Sequence, residues 1–168
     1  MTEGSAVAAG IVAATAVFAG GGLVTQTVVV PYWRSMDPGA FIDQFGTSGP
    51  ALGATLFPFE IISTLGLAVT TFLAVRHRSV GRAWWVAATT CMVGTLVLLP
   101  VYFVGANVAM LSEDFSAANV PGELAAWNAW NWVRTGLGLA ATVLCCIAIH
   151  RNSRTTQGNK GAGAPLPV

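Results

Sequence analysis

The chain has 168 residues, of which 54% are hydrophobic and 9% are charged, and its net charge is +1. Soluble domains carry about 25% charged residues, so this composition excludes an ordinary soluble domain and predicts an integral membrane protein. The small net charge gives no sign of a nucleic-acid partner. At about 20 apolar residues per span, the chain has room for four membrane helices and little else.

We therefore predict an all-α fold, a four-transmembrane-helix bundle with a short amphipathic helix in the first outer loop. A single membrane domain would cover residues 1–150, and residues 151–168 would form a disordered cytoplasmic tail. Six of the eight basic residues lie in the second loop, 76–82, or after Ile149. The positive-inside rule then places both termini in the cytoplasm, and we expect the membrane to be the plasma membrane.

The first predicted helix covers residues 6–30 and is rich in Ala and Gly. It should end before Pro31, because the residue that precedes a proline avoids the α region. The glycine triplet at 20–22 predicts close helix packing, which could serve the bundle or a homo-oligomer. Gln26 is polar and lies within this span, near its outer end.

The first loop has the pattern of an amphipathic segment. Asp37 and Pro38 are typical of a helix cap and a first helical residue. Phe41 and Phe45 then follow among charged and polar residues. We expect a short helix on the membrane surface that covers the outer end of the bundle, or else a plain interfacial anchor.

Two opposite charges are predicted to meet inside the membrane. The second helix, residues 51–75, contains Glu60, and the fourth helix, which should begin near Pro121 with Asn119 near its cap position, contains Arg134. Each charge lies about 24 Å from the cytoplasmic end of its helix, at 1.5 Å per residue. The two helices run in the same direction, so the charges share one depth and should pair, either as functional groups or as a purely structural ion pair.

The third predicted helix, residues 83–106, adds polar groups near the outer end. Pro100 should kink it, and the freed carbonyl could face a cavity. Tyr102 and Asn107 follow on the outer side of this proline.

Polar residues fall in the outer half of the predicted bundle, whereas the inner half is nearly pure Ala, Val, Leu, Thr and Gly. A channel should carry polar residues through both halves, so we predict a pocket that is closed below and open to the outer side or laterally to lipid. It suits a hydrophobic small-molecule substrate with one or two ionisable oxygens. The catalytic candidates are Glu60, as a base, and Arg134, as a cation for an oxyanion. The substrate-binding candidates are Gln26, Tyr102, Asn107, Trp127, Asn128 and Asn131, and we predict no metal ligand and no cofactor.

The fourth helix carries a motif that resembles a known family. Residues 127–135, WNAWNWVRT, resemble the W-x-x-W-N-x-x-R-T signature of the anthrone-oxygenase-like family of small four-helix membrane proteins, whose functions are largely unknown. Residues 28–31, VVVP, with Arg34, Pro38 and Phe41 after them, resemble the first helix and loop of that family. Asn107-Val108 resembles the start of its Asn-Val-Pro, although Ala109 stands where the family has Pro.

The resemblance implies an activity only for some members, which oxidise anthrones to anthraquinones with molecular oxygen and without metal or flavin. Arg134 is carried over from the motif, whereas Glu60 comes from the depth argument. We therefore expect a cofactor-independent oxygenase that acts on an anthrone-like aromatic polyketide or another hydrophobic phenol. A non-enzymatic binding or scaffold protein stays open, and a quinone or haem redox protein is disfavoured because no His lies inside a span.

Overall fold

Helices make up every regular element in the part of the chain that the structure, a computed structural model, describes: residues 3–161, with side chains for residues 6–152. The α-helices are α1 (Glu3–Val24), α2 (Val30–Arg34), α3 (Pro38–Arg76), α4 (Arg82–Leu98), α5 (Val104–Met110) and α6 (Val120–Gly161). Two π-helical turns, Thr25–Val29 and Leu99–Phe103, join α1 to α2 and α4 to α5.

Four helical stretches are long and apolar enough to cross a membrane. We call them the first to fourth spans: Ala6–Arg34, Pro38–Arg76, Arg82–Met110 and Ala117–Asn152. The predicted all-α, four-helix architecture is confirmed.

The first span continues past its predicted end. Pro31 lies in the first turn of α2, which follows the π-helical turn directly, so the prediction that it ends the helix is wrong. The turn before it is π-helical, and the N–H of Val30 donates to the carbonyl of Thr25. Pro100, in the third span, lies inside the second π-helical turn. Prolines and π-bulges are the usual causes of helix irregularity, and here they occur together.

The predicted cap at Asp37 is confirmed, since its Oδ1 accepts a hydrogen bond of 2.9 Å from the N–H of Gly39. The amphipathic segment after it is helical, but it is not a separate short helix. It is the first part of the second span, and α3 runs without a break for 39 residues. Pro50 and Pro58 lie inside this helix, and each leaves unpaired a carbonyl four residues earlier, on an exposed residue.

The α-helix of the fourth span, α6, begins at Val120, so the predicted start near Pro121 is confirmed. A 3-10 turn, Ala117–Asn119, precedes this helix, and Ser116 caps that turn because its Oγ accepts from the N–H of Ala118. Asn119 is the last residue of this turn and directly precedes α6, so it lies at the predicted cap position. At the other end α6 runs to Gly161. Residues 162–168 of the predicted tail lie outside the described residues, and the division into a membrane domain and a disordered tail stays a prediction.

The bundle has three layers along its length. At one end is the packed half, whose central side chains are fully buried: Leu67, Ala88, Met92, Ala141, Cys145 and Ala148. At the other end is the aromatic cap, formed by Trp33, Phe41, Phe45 and Trp127. Between them is the polar layer, which contains Gln26, Glu60, Asn128, Asn131, Arg134 and Thr135.

Candidate functional site

All four spans meet at the guanidinium group of Arg134. Its Nη2 donates to Oε2 of Glu60 and forms a salt bridge with it. The guanidinium carbon lies 5.1 Å from the ring centroid of Phe18 and 5.4 Å from that of Phe103, which are cation–π distances. The side chain of Glu60 is 0% exposed and that of Arg134 is 15% exposed. The contact predicted from depth is therefore confirmed, and the aromatic rings replace part of the solvation that burial removes from the cation.

The polar layer contains groups whose hydrogen-bonding capacity is unused. Among the described side chains, every buried polar atom without a hydrogen-bond partner belongs to this layer: Gln26 Oε1, Glu60 Oε1, Asn128 Oδ1, Asn131 Nδ2, Arg134 Nε and Thr135 Oγ1. Burial of one such group costs about 1–3 kcal/mol, so their concentration in one layer requires a reason. They offer both donors and acceptors to a polar group that enters the layer.

A cavity of about 430 Å³ adjoins the polar layer. Its walls are mostly apolar, and its polar side chains on the fourth span are those of Asn131 and Arg134. The aromatic cap contributes Trp33, Phe45 and Trp127 to the wall. The remaining lining residues are Thr25, Gly49, Leu52, Gly53, Ala54, Leu56, Phe57, Leu99, Phe103, Val104 and Asn107. An apolar chamber with a few convergent polar groups is the usual form of a small-molecule site.

Four of the eight predicted site residues line this cavity: Asn107, Trp127, Asn131 and Arg134. Trp127 Nε1 donates to Asn107 Oδ1 at 3.0 Å, and this bond fixes both side chains on the wall.

Three further predicted residues lie behind the wall. Glu60 contacts Arg134 from the second span. Gln26, on the first span, donates from Nε2 to the backbone carbonyl of Asn128 at 3.1 Å. The unpaired oxygens of these three side chains therefore belong to the layer that backs the cavity.

Tyr102 is not part of the cavity wall. Its hydroxyl donates to Glu123 Oε1 at 2.8 Å, and its ring stacks on Trp130 with 5.7 Å between centroids. The next residue, Phe103, lines the cavity instead. Both residues lie in the π-helical turn, which adds one residue to a turn and so shifts which side chain faces the bundle.

Thr135 contacts Gly22, the last residue of the glycine triplet, and we did not predict this contact. Thr135 is buried, and a Cβ placed on Gly22 would lie 2.7 Å from its Oγ1. A Cβ on Gly21 would collide with the end of the Leu56 side chain, whereas one on Gly20 would meet nothing within 4 Å. The position of Thr135, one helical turn after Asn131, was the available signal.

Comparison of the chain with protein-family models, with curated proteins and with solved structures found no match. The functional interpretation therefore rests on the site itself and on the motif in the fourth span.

Proposed function

We propose that this chain is a cofactor-independent oxygenase of the anthrone-oxygenase-like type, and that it oxidises an anthrone-like aromatic polyketide or another hydrophobic phenol. The observation that carries the proposal is the position of Arg134 on the wall of an apolar cavity, with the carboxylate of Glu60 directly behind it. A cation beside a carboxylate is what a proton-abstraction step needs when the product is an oxyanion.

The ion pair gives the step a favourable charge balance. Before the reaction, Arg134 has one anionic partner, Glu60. Glu60 does not line the cavity, so the substrate proton would reach it through one bridging water. This transfer moves the negative charge to the substrate oxygen, and Arg134 then has that oxygen as its partner. The net charge of the buried site does not change, so the step avoids the cost of creating an isolated charge in a dry environment.

The oxidation itself needs only dioxygen as the oxidant. Loss of one proton from the anthrone CH2 group leaves an electron-rich anion, which passes an electron to O2, and the two radicals join in a C–O bond. The resulting hydroperoxide loses the second proton of that carbon, its O–O bond breaks, and water leaves. The balance is CH2 plus O2 to C=O plus H2O.

The other polar groups would position the substrate. Asn131 Nδ2 and Arg134 Nε are unused donors that could bind the substrate oxygen as its charge develops. Trp127 presents a flat apolar surface beside them. We propose that Gln26 and Asn128, whose amide oxygens are also unused, orient the layer from behind.

We further propose an orientation and a location for the bundle. The basic loop at 76–82 would face the cytoplasm together with both termini, and the aromatic cap would face the outside of the plasma membrane. The partners would be the lipid bilayer and the hydrophobic substrate, and a homo-oligomer would form through the small residues of the first span.

Oxygen uptake by the detergent-purified, metal-stripped protein with anthrone tests the proposal, with autoxidation as the blank. We expect uptake above the blank that falls by at least about 100-fold in Glu60→Gln and in Arg134→Lys, which keeps the charge but loses the planar fork. The matched controls are Glu113→Gln and Arg34→Lys, at exposed positions. Wild-type uptake equal to the blank would reject an anthrone oxygenase.

A second candidate, a non-enzymatic binding or scaffold protein, is favoured by one observation. Glu60 and Arg134 are in direct contact, and two phenylalanine rings pack against the guanidinium group, as expected for an ion pair that only holds two helices together. The double variant Glu60→Leu/Arg134→Met distinguishes a catalytic from a structural role of the pair. Well-packed apolar replacements of a buried ion pair often preserve the stability of the protein. A folded double variant without oxygen uptake supports the enzyme, provided that the wild type is active.

A further inference from the structure

We infer that the cavity is loaded sideways from the bilayer, through an opening between the second and third spans, and not from water at the end of the bundle. The inference rests on the proposed function for the cavity as a ligand site. It adds the route and the physical class of the ligand: an amphiphile that is already dissolved in the leaflet around the polar layer, with a flat apolar body and one ionisable oxygen.

The end of the bundle is closed by the aromatic cap. Trp33 lies edge-on to Phe41, Phe45 and Trp127, with ring centroids 5.8, 5.4 and 5.7 Å away. Trp33, Phe41 and Phe45 are each 2% exposed or less. Met110 and Val120 pack into the same cluster and are also buried. A molecule that came from water along the bundle axis would have to separate these rings.

The other end of the cavity is closed by the packed half. Leu67 and Met92 are fully buried, and the buried hydroxyls of this half bond to their own helices. Thr15 donates to the carbonyl of Ile11 at 2.8 Å, and Thr95 donates to that of Met92 at 2.7 Å. No polar path therefore leaves the cavity through the described residues of this half.

The side of the cavity is open. Four of its lining residues are exposed: Gly53, Ala54 and Phe57 on the second span and Val104 on the third. All four are apolar, and Phe57 and Val104 are 46% and 56% exposed. An opening with an apolar rim admits acyl chains and aromatic molecules more readily than it admits water.

The opening lies at the depth where an amphiphile collects. Phe57 is about 28 Å along the helix from Arg76, and Val104 is about 33 Å from Arg82. With these arginines at one boundary of the hydrocarbon, which is about 30 Å thick, the opening lies at the other boundary. A phenol there places its ring among the acyl chains and its oxygen among the headgroups, and it can enter the cavity without crossing water.

Thiol labelling of the full chain in liposomes tests the route. In a background with Cys91→Ala, Cys145→Ala and Cys146→Ala, Thr25→Cys places a thiol on the cavity wall, where Thr25 is 2% exposed. The lipid-soluble probe is N-(1-pyrenyl)maleimide, a flat aromatic molecule. The water-soluble probe is the anionic 2-sulfonatoethyl methanethiosulfonate. Labelling needs no turnover, so the result does not depend on the oxygen-uptake assay.

We expect the pyrenyl reagent to label Thr25→Cys and the anionic reagent not to label it. Ser35→Cys, which is exposed, should react with the anionic reagent, and Thr15→Cys, which is buried in the packed half, should react with neither. Addition of Ala54→Trp at the rim should slow pyrenyl labelling by at least about tenfold, or about 1.4 kcal/mol of barrier. Val104→Trp is the equivalent variant on the other side of the opening. Ala68→Trp, an exposed change in the inner part of the same helix, should alter the rate by less than about twofold.

Three results would overturn the inference. Reaction of Thr25→Cys with the anionic reagent as fast as Ser35→Cys would show entry from water. Absence of pyrenyl labelling would show a cavity closed to lipid. Labelling that neither Ala54→Trp nor Val104→Trp slows would show a different lateral route.

Discussion

The packed half and the polar layer occupy the same four helices and follow opposite rules. In the packed half the central side chains are fully buried, and the buried hydroxyls bond to the backbone one turn away. In the polar layer a salt bridge, unused donors and acceptors, two adjacent π-helical turns and a cavity lie together. Helices in lipid associate through close packing because burial of apolar surface gives no gain there. The difference indicates that the packed half stabilises the bundle, so that the polar layer can keep donors and acceptors without hydrogen-bond partners.

Removal of one charge from the polar layer should have the largest effect on stability. Arg134→Ala leaves the Glu60 carboxylate buried without its partner, and we expect a loss of about 3–5 kcal/mol in the free energy of unfolding. Denaturant titration in detergent measures it. Arg82→Ala, at an exposed position, is the control and should change little. A loss as small as that of the control would mean that the layer is hydrated enough to carry a free carboxylate.

Leucine truncation should distinguish the two regions next. Leu67→Ala opens a hole among fully buried neighbours and should cost about 2 kcal/mol or more, at the lower end of the range for Leu→Ala because the unfolded side chain stays in lipid. Leu52→Ala only enlarges an existing cavity and should cost less than about 1 kcal/mol. Equal losses in the same unfolding assay would contradict the division into a packed and a loose region.

The glycine triplet offers a matched pair with effects of opposite sign. Gly22→Ala forces a methyl group against Thr135 Oγ1 and should destabilise the protein by about 1–3 kcal/mol. Gly20→Ala meets no atom within 4 Å and should stabilise the helix by about 0.5–1 kcal/mol. Thermal melts of both variants beside the wild type measure the sign. Destabilisation by Gly20→Ala would show that this face contacts another copy of the chain.

The smallest effect should come from Tyr102, which lies outside the cavity. Tyr102→Phe removes the hydrogen bond to Glu123 and should cost about 0.5–1.5 kcal/mol of stability. It should leave unchanged the affinity for 2-hydroxyanthraquinone, a flat phenol whose binding can be followed by tryptophan quenching. Asn131→Leu, on the wall, should weaken that affinity. A weaker affinity in Tyr102→Phe would show that Tyr102 contributes to ligand binding.

The spans and the central ion pair could be predicted from the sequence because both follow from strong constraints. Apolar length defines the spans, and a charge inside a membrane has few partners, so counting residues from the basic helix ends was enough to pair Glu60 with Arg134. Asp37 was predictable as a cap for a local reason, its hydrogen bond to the next turn.

The sequence could not predict which side chains near the π-helical turns point into the bundle. These turns have no sequence signal beyond a nearby proline, and the extra residue in the turn at 99–103 exchanges Tyr102 for Phe103 on the cavity wall. The continuity of α3 was missed for a related reason. Pro50 and Pro58 look like breaks in the sequence, but the carbonyls that they leave unpaired belong to exposed residues.

The length of α3 couples two parts of the molecule that could otherwise move separately. One unbroken helix contributes to both the aromatic cap and the side opening. It carries Phe41 and Phe45 in the cap, and Ala54 and Phe57 at the opening. The same helix also contributes the fully buried Leu67 to the packed half. Phe41 lies about 39 Å along the axis from Leu67, with Ala54 and Phe57 between them. A substitution that displaces the outer part of α3 is therefore expected to change the ring contacts of the cap and the rim of the opening together.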